Sequence, residues 1–414
     1  MGERDKRLRE RAAKVIPGGL WGHMNVDGFL PEYPQFFERA EGCTLWDVDG
    51  ARYIDFMCSW GPVVLGHKHP AVEAAVDRQR ALGDAMNGPA PALVDLAELL
   101  VETIPFADWA LFQKNGSDAT TACVTIARAG TKRRKILAAR GSYHGAVPWC
   151  SPSLAGVTAE DRAHLILFDY NDIESLETAV KAADGDLAGI ILTAFKHDYA
   201  ADQFMIDPAF LRRARELCDA QDAALILDDV RAGFRIDLRG SWAPVGVQPD
   251  LAAFSKAIAN GYPLAAVVGS DRFRAPASFG KVFVTGSFWY GAVSMAAAVA
   301  TIETLRDDRV IPHTAAMGQR LRDGLAGLAG RHGLGLRQTG PAQMPMVLFD
   351  DDPKFARGNA FCTAALKAGA YFHPRHNMFL SGAHTPASVD RALEAAEVGM
   401  AAAAQVSARE MAAS

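Results

Sequence analysis

The sequence has no surplus of positive charge, no paired cysteines and no long apolar run, and each absence removes a class of function. Lysine and arginine total 43 against 48 acidic residues, a formal net charge of −5 in 414 residues. A chain that tracks a nucleic-acid backbone needs a basic patch. None is found, so nucleic acid is not an expected partner. The six cysteines, Cys43, Cys58, Cys123, Cys150, Cys218 and Cys362, are scattered and form no C-x-x-C pair. In a chain of this length that pattern predicts free thiols in a reducing compartment. No apolar run reaches the roughly 18 residues that span a bilayer. The charged first stretch, MGERDKRLRERAAKVIPGG, lacks the apolar centre of a secretory signal. The expectation is a soluble cytoplasmic protein with no membrane association.

Several enzyme signatures are missing as well. There is no G-x-x-x-x-G-K-[ST] phosphate loop, no G-x-G-x-x-G dinucleotide turn and no G-x-S-x-G nucleophile elbow. The pairs His67-x-His69 and His373-x-x-His376 lack the helical context or cysteine partners of a metal site, so they read as loop histidines and no metal is expected.

What is present has a clear order. A helix pattern over residues 3–15 stops at Pro17-Gly18-Gly19. The run CTLWDVDGARYIDF alternates on either side of Asp49-Gly50, a hairpin signal. Beyond Trp60, apolar runs (WALFQ, KILAA, LAGIILTAF, AALILDD, LAAFS, PLAAVVG) alternate with helical stretches, which predicts buried parallel strands in an α/β sheet. After about Gly291 two long helices, two short strands (LRQTG, PMVLFD) and an amphipathic helix from about Pro386 predict a smaller α+β unit, completed by the N-terminal helix and hairpin. The expected division is 61–290 for the large unit, and 1–60 with 291–414 for the small one. Loops at about 83–91 and 276–285 are candidate lids or subunit contacts.

Four features carry chemistry. Strand, Asn115-Gly116-Ser117-Asp118, then helix suits a phosphate on a helix N-terminus, and equally an ordinary N-cap with Ser117 as the cap. AALILDDV ends an apolar strand in two carboxylates, which fits a protonated ring nitrogen or a metal, or simply two capping aspartates. Lys256 follows the apolar run LAAFS; burial there lowers a lysine's pKa and makes it a nucleophile toward carbonyls, and the alternative is a surface lysine. Gly141-Ser142-Tyr143-His144-Gly145 ends another strand with an aromatic fit to stack on a planar ligand, or is a plain turn. Together they are the set that pyridoxal phosphate requires.

With these residues in view, the sequence resembles the class III, fold type I aminotransferases, and within them the branch containing glutamate-1-semialdehyde aminomutase. The resemblance covers almost the whole chain: IPGG at 16–19, LWDVDGARYIDF at 45–56, SWGPVVLGHKHPAV at 59–72, NGSDAT at 115–120, YHG at 143–145, LILDDVRAGFR at 225–235 and PDLAAFSKAIANGYP at 249–263. KNGSDAT, DDVRAGFR, VTGSFW, TGPAQMP and HNMFLSGAHT are similar to a subgroup acting on hydrolysed fumonisin, a long-chain amine. The resemblance implies a large, mostly parallel sheet domain with a smaller α+β domain, pyridoxal 5′-phosphate as cofactor and a homodimer with shared active sites. It implies that Lys256 is the Schiff-base lysine and that Asp228 pairs with the pyridinium nitrogen. Val230 would pack behind the ring, Gly116 and Ser117 hold the phosphate, Tyr143 stack on the ring, and Ser287 reach the phosphate from the partner subunit. Departures from the family pattern are Asn115, Ser117 and Asp118 in its Ser-Gly-Thr-Glu-Ala, Asp229 in its Asp-Glu-Val, and Gly291-Ala292 in place of Asn-Pro. Trp60, Arg231, Phe288 and Arg375 are candidate substrate contacts, the arginines for a carboxylate. The expected reaction is ping-pong transfer of an amino group from an amine or ω-amino donor to a keto acid such as pyruvate. The alternatives are an aminomutase and a non-catalytic relative on the same fold.

Overall fold

The computed structural model describes residues 2–22, 28, 30–278 and 280–407. Its centre is a seven-stranded sheet in the order Trp109–Gln113, Ala265–Gly269, Leu251–Phe254, Ala224–Asp228, Leu187–Thr193, Lys135–Ala139, Leu165–Phe168. The four middle strands are buried along their whole length, as a sheet covered on both faces demands. Alternate residues serve opposite faces: Leu225 and Leu227 join one apolar core with Phe254 and Met295, while Ala224 and Ile226 join another with Ile126 and Val267.

Six strands share one direction, and Ala265–Gly269 runs against both its neighbours. The reason is length. Only residues 255–264 link Phe254 to Ala265, fewer than the dozen or so that a parallel crossover needs. Lys256 is the second residue of that short link. Leu165–Phe168, an edge strand, was not among the apolar runs read from the sequence.

The hairpin forms around Asp49-Gly50 as expected, with Thr44–Asp47 antiparallel to Arg52–Asp55. Asp47 Oδ1 closes the turn by accepting from the N–H groups of Asp49 (3.0 Å) and Ala51 (2.8 Å). Ala370–Tyr371 adds to this sheet in parallel with Arg52–Asp55. Tyr33, Phe56, Leu321, Phe361 and Val389 share a third apolar core, so residues from both ends of the chain pack together. Helices Val310–Arg331, Ala356–Lys367 and Pro386–Ala404 supply most of it. Among the described residues no helix is long and apolar enough to cross a membrane. In the loop expected at 276–285, Phe279 lies outside the described residues.

Candidate active site

Five strands of the large sheet end in loops that surround one cavity of about 360 Å³, the position where an open α/β sheet presents functional groups. The strand Ala224–Asp228 delivers Asp228 into it. Asp228 is buried; its Oδ2 lies 2.7 Å from His144 Nδ1, and its Oδ1 accepts from the Val230 N–H at 3.1 Å. His144 is itself held, its carbonyl accepting from Thr120 Oγ1 at 2.6 Å. Asp229 points the other way. Its carboxylate takes the N–H (2.9 Å) and the hydroxyl of Ser241, and burial pushes its pKa up to about 7. The two aspartates are therefore neither a pair of caps nor a metal site.

Lys256 starts a short 3-10 turn at φ 48° directly after the central strands. Its pKa is pushed down to about 7, first by burial and then by the positive charge of Arg231 and Arg235, with Asp228 opposing. A substantial fraction of neutral amine near neutral pH is what attack on a carbonyl needs. Arg235 is a buried strut rather than a reactant: it donates to the carbonyls of Leu380 (2.9 Å), Gly61 (2.6 Å) and Val63 (3.2 Å).

Gly116 and Ser117 open the helix Gly116–Thr131, whose first-turn N–H groups have no helical acceptor. The N-cap is Asn115, which accepts from the Asp118 N–H at 3.0 Å. Ser117 is not the cap; its Oγ accepts from the Ala146 N–H at 3.1 Å. The cradle is tight. A Cβ on Gly116 would lie 2.6 Å from Val230 Cγ1, and one on Gly145 would lie 2.6 Å from Ser117 Oγ. Tyr143, 42% exposed, stands at the mouth.

Lys256, Asp228, Val230, Gly116, Ser117, Tyr143 and Arg231 all line the cavity. The other candidates do not. Trp60 stands edge-on to His373 and His376 with ring centroids 5.5 and 5.0 Å away. Arg375 lays its guanidinium over the Phe355 ring at 5.2 Å. Ser287 and Phe288 are exposed. Arg231 does not pair with Asp229; it bonds His376 and Asn377. Lys114 and His197 also line the cavity and were missed. Lys114 directly precedes Asn115 and was within reach of motif reading, but His197 sits in FKHDY, which matches no signature. Among the described residues no group of three histidine, cysteine or carboxylate side chains is placed to hold a metal.

Residues 30–385 match the family described as aminotransferase class-III. The chain belongs to the class III aminotransferases. It is 50% identical to the aminopentol aminotransferase of Sphingopyxis macrogoltabida over 96% of this chain and 93% of that one. The glutamate-1-semialdehyde 2,1-aminomutase of Bordetella avium is more distant, 33% identical over 96% of this chain and 99% of that protein. The solved FumI protein of Sphingopyxis sp. MTA144, in its pyridoxal phosphate internal aldimine form, superposes with a TM-score of 0.95 at 50% identity, covering 97% and 96% of the two chains. This aminotransferase thus has the fold type I architecture, and pyridoxal 5′-phosphate is its cofactor. The cavity fits that group: a side-chain-free cradle at a helix N-terminus for the phosphate, a buried carboxylate for the ring nitrogen, and a lysine amine whose pKa burial has lowered.

Proposed function

We propose that this aminotransferase moves an amino group from a hydrophobic, long-chain primary amine to a small keto acid such as pyruvate, in two half-reactions. The observation that carries the reading is that Lys256, the buried Asp228 and the glycine cradle of Gly116 and Gly145 line one cavity. The amine class rests on the likeness to an aminopentol aminotransferase.

Pyridoxal phosphate, when bound, supplies a carbonyl that accepts the amino group and a conjugated ring that accepts electrons. Gly116, Ser117 and the first-turn N–H groups hold the phosphate. Asp228, fixed by His144 and the Val230 N–H, keeps a proton on the ring nitrogen. Val230 and Tyr143 would confine the ring. Lys256 would hold the cofactor's carbonyl carbon through its Nζ and, as a free amine, would move the proton of the substrate carbon that bears nitrogen. Trp60 packs edge-on against His376.

The working unit in this reading is a homodimer in a reducing, cytoplasmic setting. Ser287 does not line its own cavity and is exposed, which leaves it free for the role that the family resemblance implies, at the phosphate of the partner site, and Phe288 and Phe283, 69% and 79% exposed, would supply an apolar wall there. We place the large cofactor-carrying domain at 61–290 and the small one at 1–60 with 291–414; the separate apolar core that both chain ends share supports a small unit of its own, although Met295, Ile302 and Leu305 of the helix Ala292–Asp307 pack into the large core.

The test is a panel of amine donors and keto acids read as separate half-reactions by the cofactor's absorbance. Conversion of a long-chain amine that stops without an added keto acid and resumes with pyruvate is the expected result. Turnover with no external acceptor identifies a mutase instead. No spectral change with any amine, in protein shown to contain cofactor, refutes both.

A further inference from the structure

The helix Ala292–Asp307 is firmly seated: Met295, Ile302 and Leu305 bury it in the large apolar core. It has no side-chain cap of its own, since Gly291 holds the N-cap position. The first N–H groups of a helix have no acceptor within it. Here two of them are taken by Asp84, 209 residues from Val293 in the sequence. Asp84 Oδ1 accepts from the Val293 N–H at 2.9 Å, and the Asp84 carbonyl accepts from the Ala292 N–H at 3.3 Å. The carboxylate also sits at the positive end of the helix. Asp84 belongs to the loop at 83–91, so this part of the loop is tied to the helix start.

The backbone that precedes the helix is wound onto that capped end. The Gly291 N–H donates to the Phe288 carbonyl at 3.1 Å, and the Trp289 N–H donates to the Gly286 carbonyl at 3.0 Å. These two overlapping turns hold Ser287 and Phe288. A Cβ on Gly291 would lie 3.1 Å from Lys114 Nζ and 3.2 Å from Asp84 Oδ1, so both side chains approach the glycine closely. Lys114 lines the cavity of its own subunit, and burial lowers its pKa with Asp84 opposing. Asp84 thus stands between its own cavity and the segment that carries Ser287.

We propose that Asp84 is a positioning residue for the partner's active site. By capping Ala292–Asp307 it fixes the turns that carry Ser287 and Phe288, and with them the reach of Ser287 to the cofactor phosphate across the dimer. This rests on the shared-site homodimer proposed above. The departure Gly291-Ala292 fits the arrangement: neither residue has a side chain that can cap, and the cap comes from the loop instead.

The experiment titrates the cofactor into mixed dimers, isolated by a different affinity tag on each subunit. Only a site with Lys256 can bond the cofactor's carbonyl, so the absorbance of the bonded cofactor reports those sites alone. Asp84→Ala homodimers are expected to bind the cofactor roughly 2- to 30-fold more weakly, the worth of a helix cap. Asp84→Asn, which keeps an acceptor oxygen, stays near wild type. Pairing an Asp84→Ala subunit with a Lys256→Ala subunit should restore wild-type affinity, because Ser287 then reaches the Lys256 site from a subunit whose Asp84 is intact. Pairing wild type with the double variant Asp84→Ala/Lys256→Ala should weaken that site by the homodimer's factor. Wild-type affinity in Asp84→Ala homodimers, equal losses in Asp84→Ala and Asp84→Asn, or a loss that stays with the subunit carrying both Asp84→Ala and Lys256 each overturns the proposal. If Asp84→Ala does not fold, Asp84→Ser, too short to reach the Val293 N–H, takes its place in every arm. The control pairs Lys256→Ala with Ser287→Ala/Phe288→Ala. No restored affinity in the control overturns the shared site and the proposal with it, whereas restoration in the control alone overturns only the part given to Asp84.

Discussion

Gly116→Ala tests whether the cradle is built by the absence of a side chain. The added Cβ would lie 2.6 Å from Val230 Cγ1 and 3.0 Å from Cγ2, so Val230 must move toward the ring site or the helix start must retreat. Overpacking of this kind costs about 1–3 kcal/mol, which corresponds to roughly 5- to 150-fold in cofactor affinity if the strain falls on the bound state. Helix propensity works in the opposite sense, alanine being favoured over glycine by about 0.5–1 kcal/mol, so a general loss of fold is not the expected outcome. Cofactor titration by absorbance, with the melting temperature of the cofactor-free protein as control, measures both. The companion is Gly116→Ala with Val230→Ala. Removing both Val230 methyls opens the space the new Cβ needs, and the affinity should recover to that of Val230→Ala alone. Wild-type affinity in Gly116→Ala, or no recovery in the double variant, refutes the steric argument.

Three further outcomes are expected. Lys256→Met should stabilise the cofactor-free protein. Because the folded pKa lies near 7, below the unfolded value near 10.5, the native state pays for the charge below pH 7 and the penalty fades as pH rises to about 10.5. The gain in urea denaturation should reach on the order of 4 kcal/mol at pH 6 and shrink toward pH 10; a pH-independent gain contradicts burial as the cause. Asp229 has the reverse sign: its folded pKa is raised to about 7, so stability from this group is lost as pH rises from about 4 to 7, and Asp229→Asn should help more at pH 8 than at pH 5 by the same assay. Mixing inactive Lys256→Ala subunits with Ser287→Ala/Phe288→Ala subunits should regenerate activity, since one site of the mixed dimer is then intact; no gain after exchange shows that Ser287 and Phe288 do not act across subunits.

The residues that gather around the cavity were legible because each follows an apolar run, and a polar residue that ends a buried strand has few structural explanations. Lys256 and Asp228 are of this type. Leu165–Phe168 was not legible because it lies at the sheet edge and is only partly buried, which blurs its period. The reversal of Ala265–Gly269 is carried by a connection length, not by local pattern. Cys58, Ser59 and Trp60 adopt φ of 45°, 56° and 65° with no glycine among them, so turn chemistry gave no warning. Their partner is remote from such rules: Asp55 Oδ1 accepts from the Met57 and Cys58 N–H groups at 2.8 and 3.0 Å, while its Oδ2 takes His67 Nε2 at 2.9 Å. Arg231 was legible as a candidate, but its orientation depends on His376 and Asn377, about 145 residues away.

The electrostatics of the cavity explain why those distant residues matter. Two cationic groups, Arg231 and Lys256, sit near one carboxylate, Asp228, in a buried site. Each cation makes the other harder to charge, and a guanidinium resists deprotonation far more than an ammonium does. The burden therefore falls on Lys256, whose pKa drops to about 7, so that a substantial fraction is neutral amine near neutral pH. A carboxylate placed beside Arg231 by the chain itself would cancel this effect. His376 and Asn377 avoid that, since they orient the guanidinium through lone pairs that carry no charge. In this arrangement the uncompensated guanidinium lowers the basicity of Lys256.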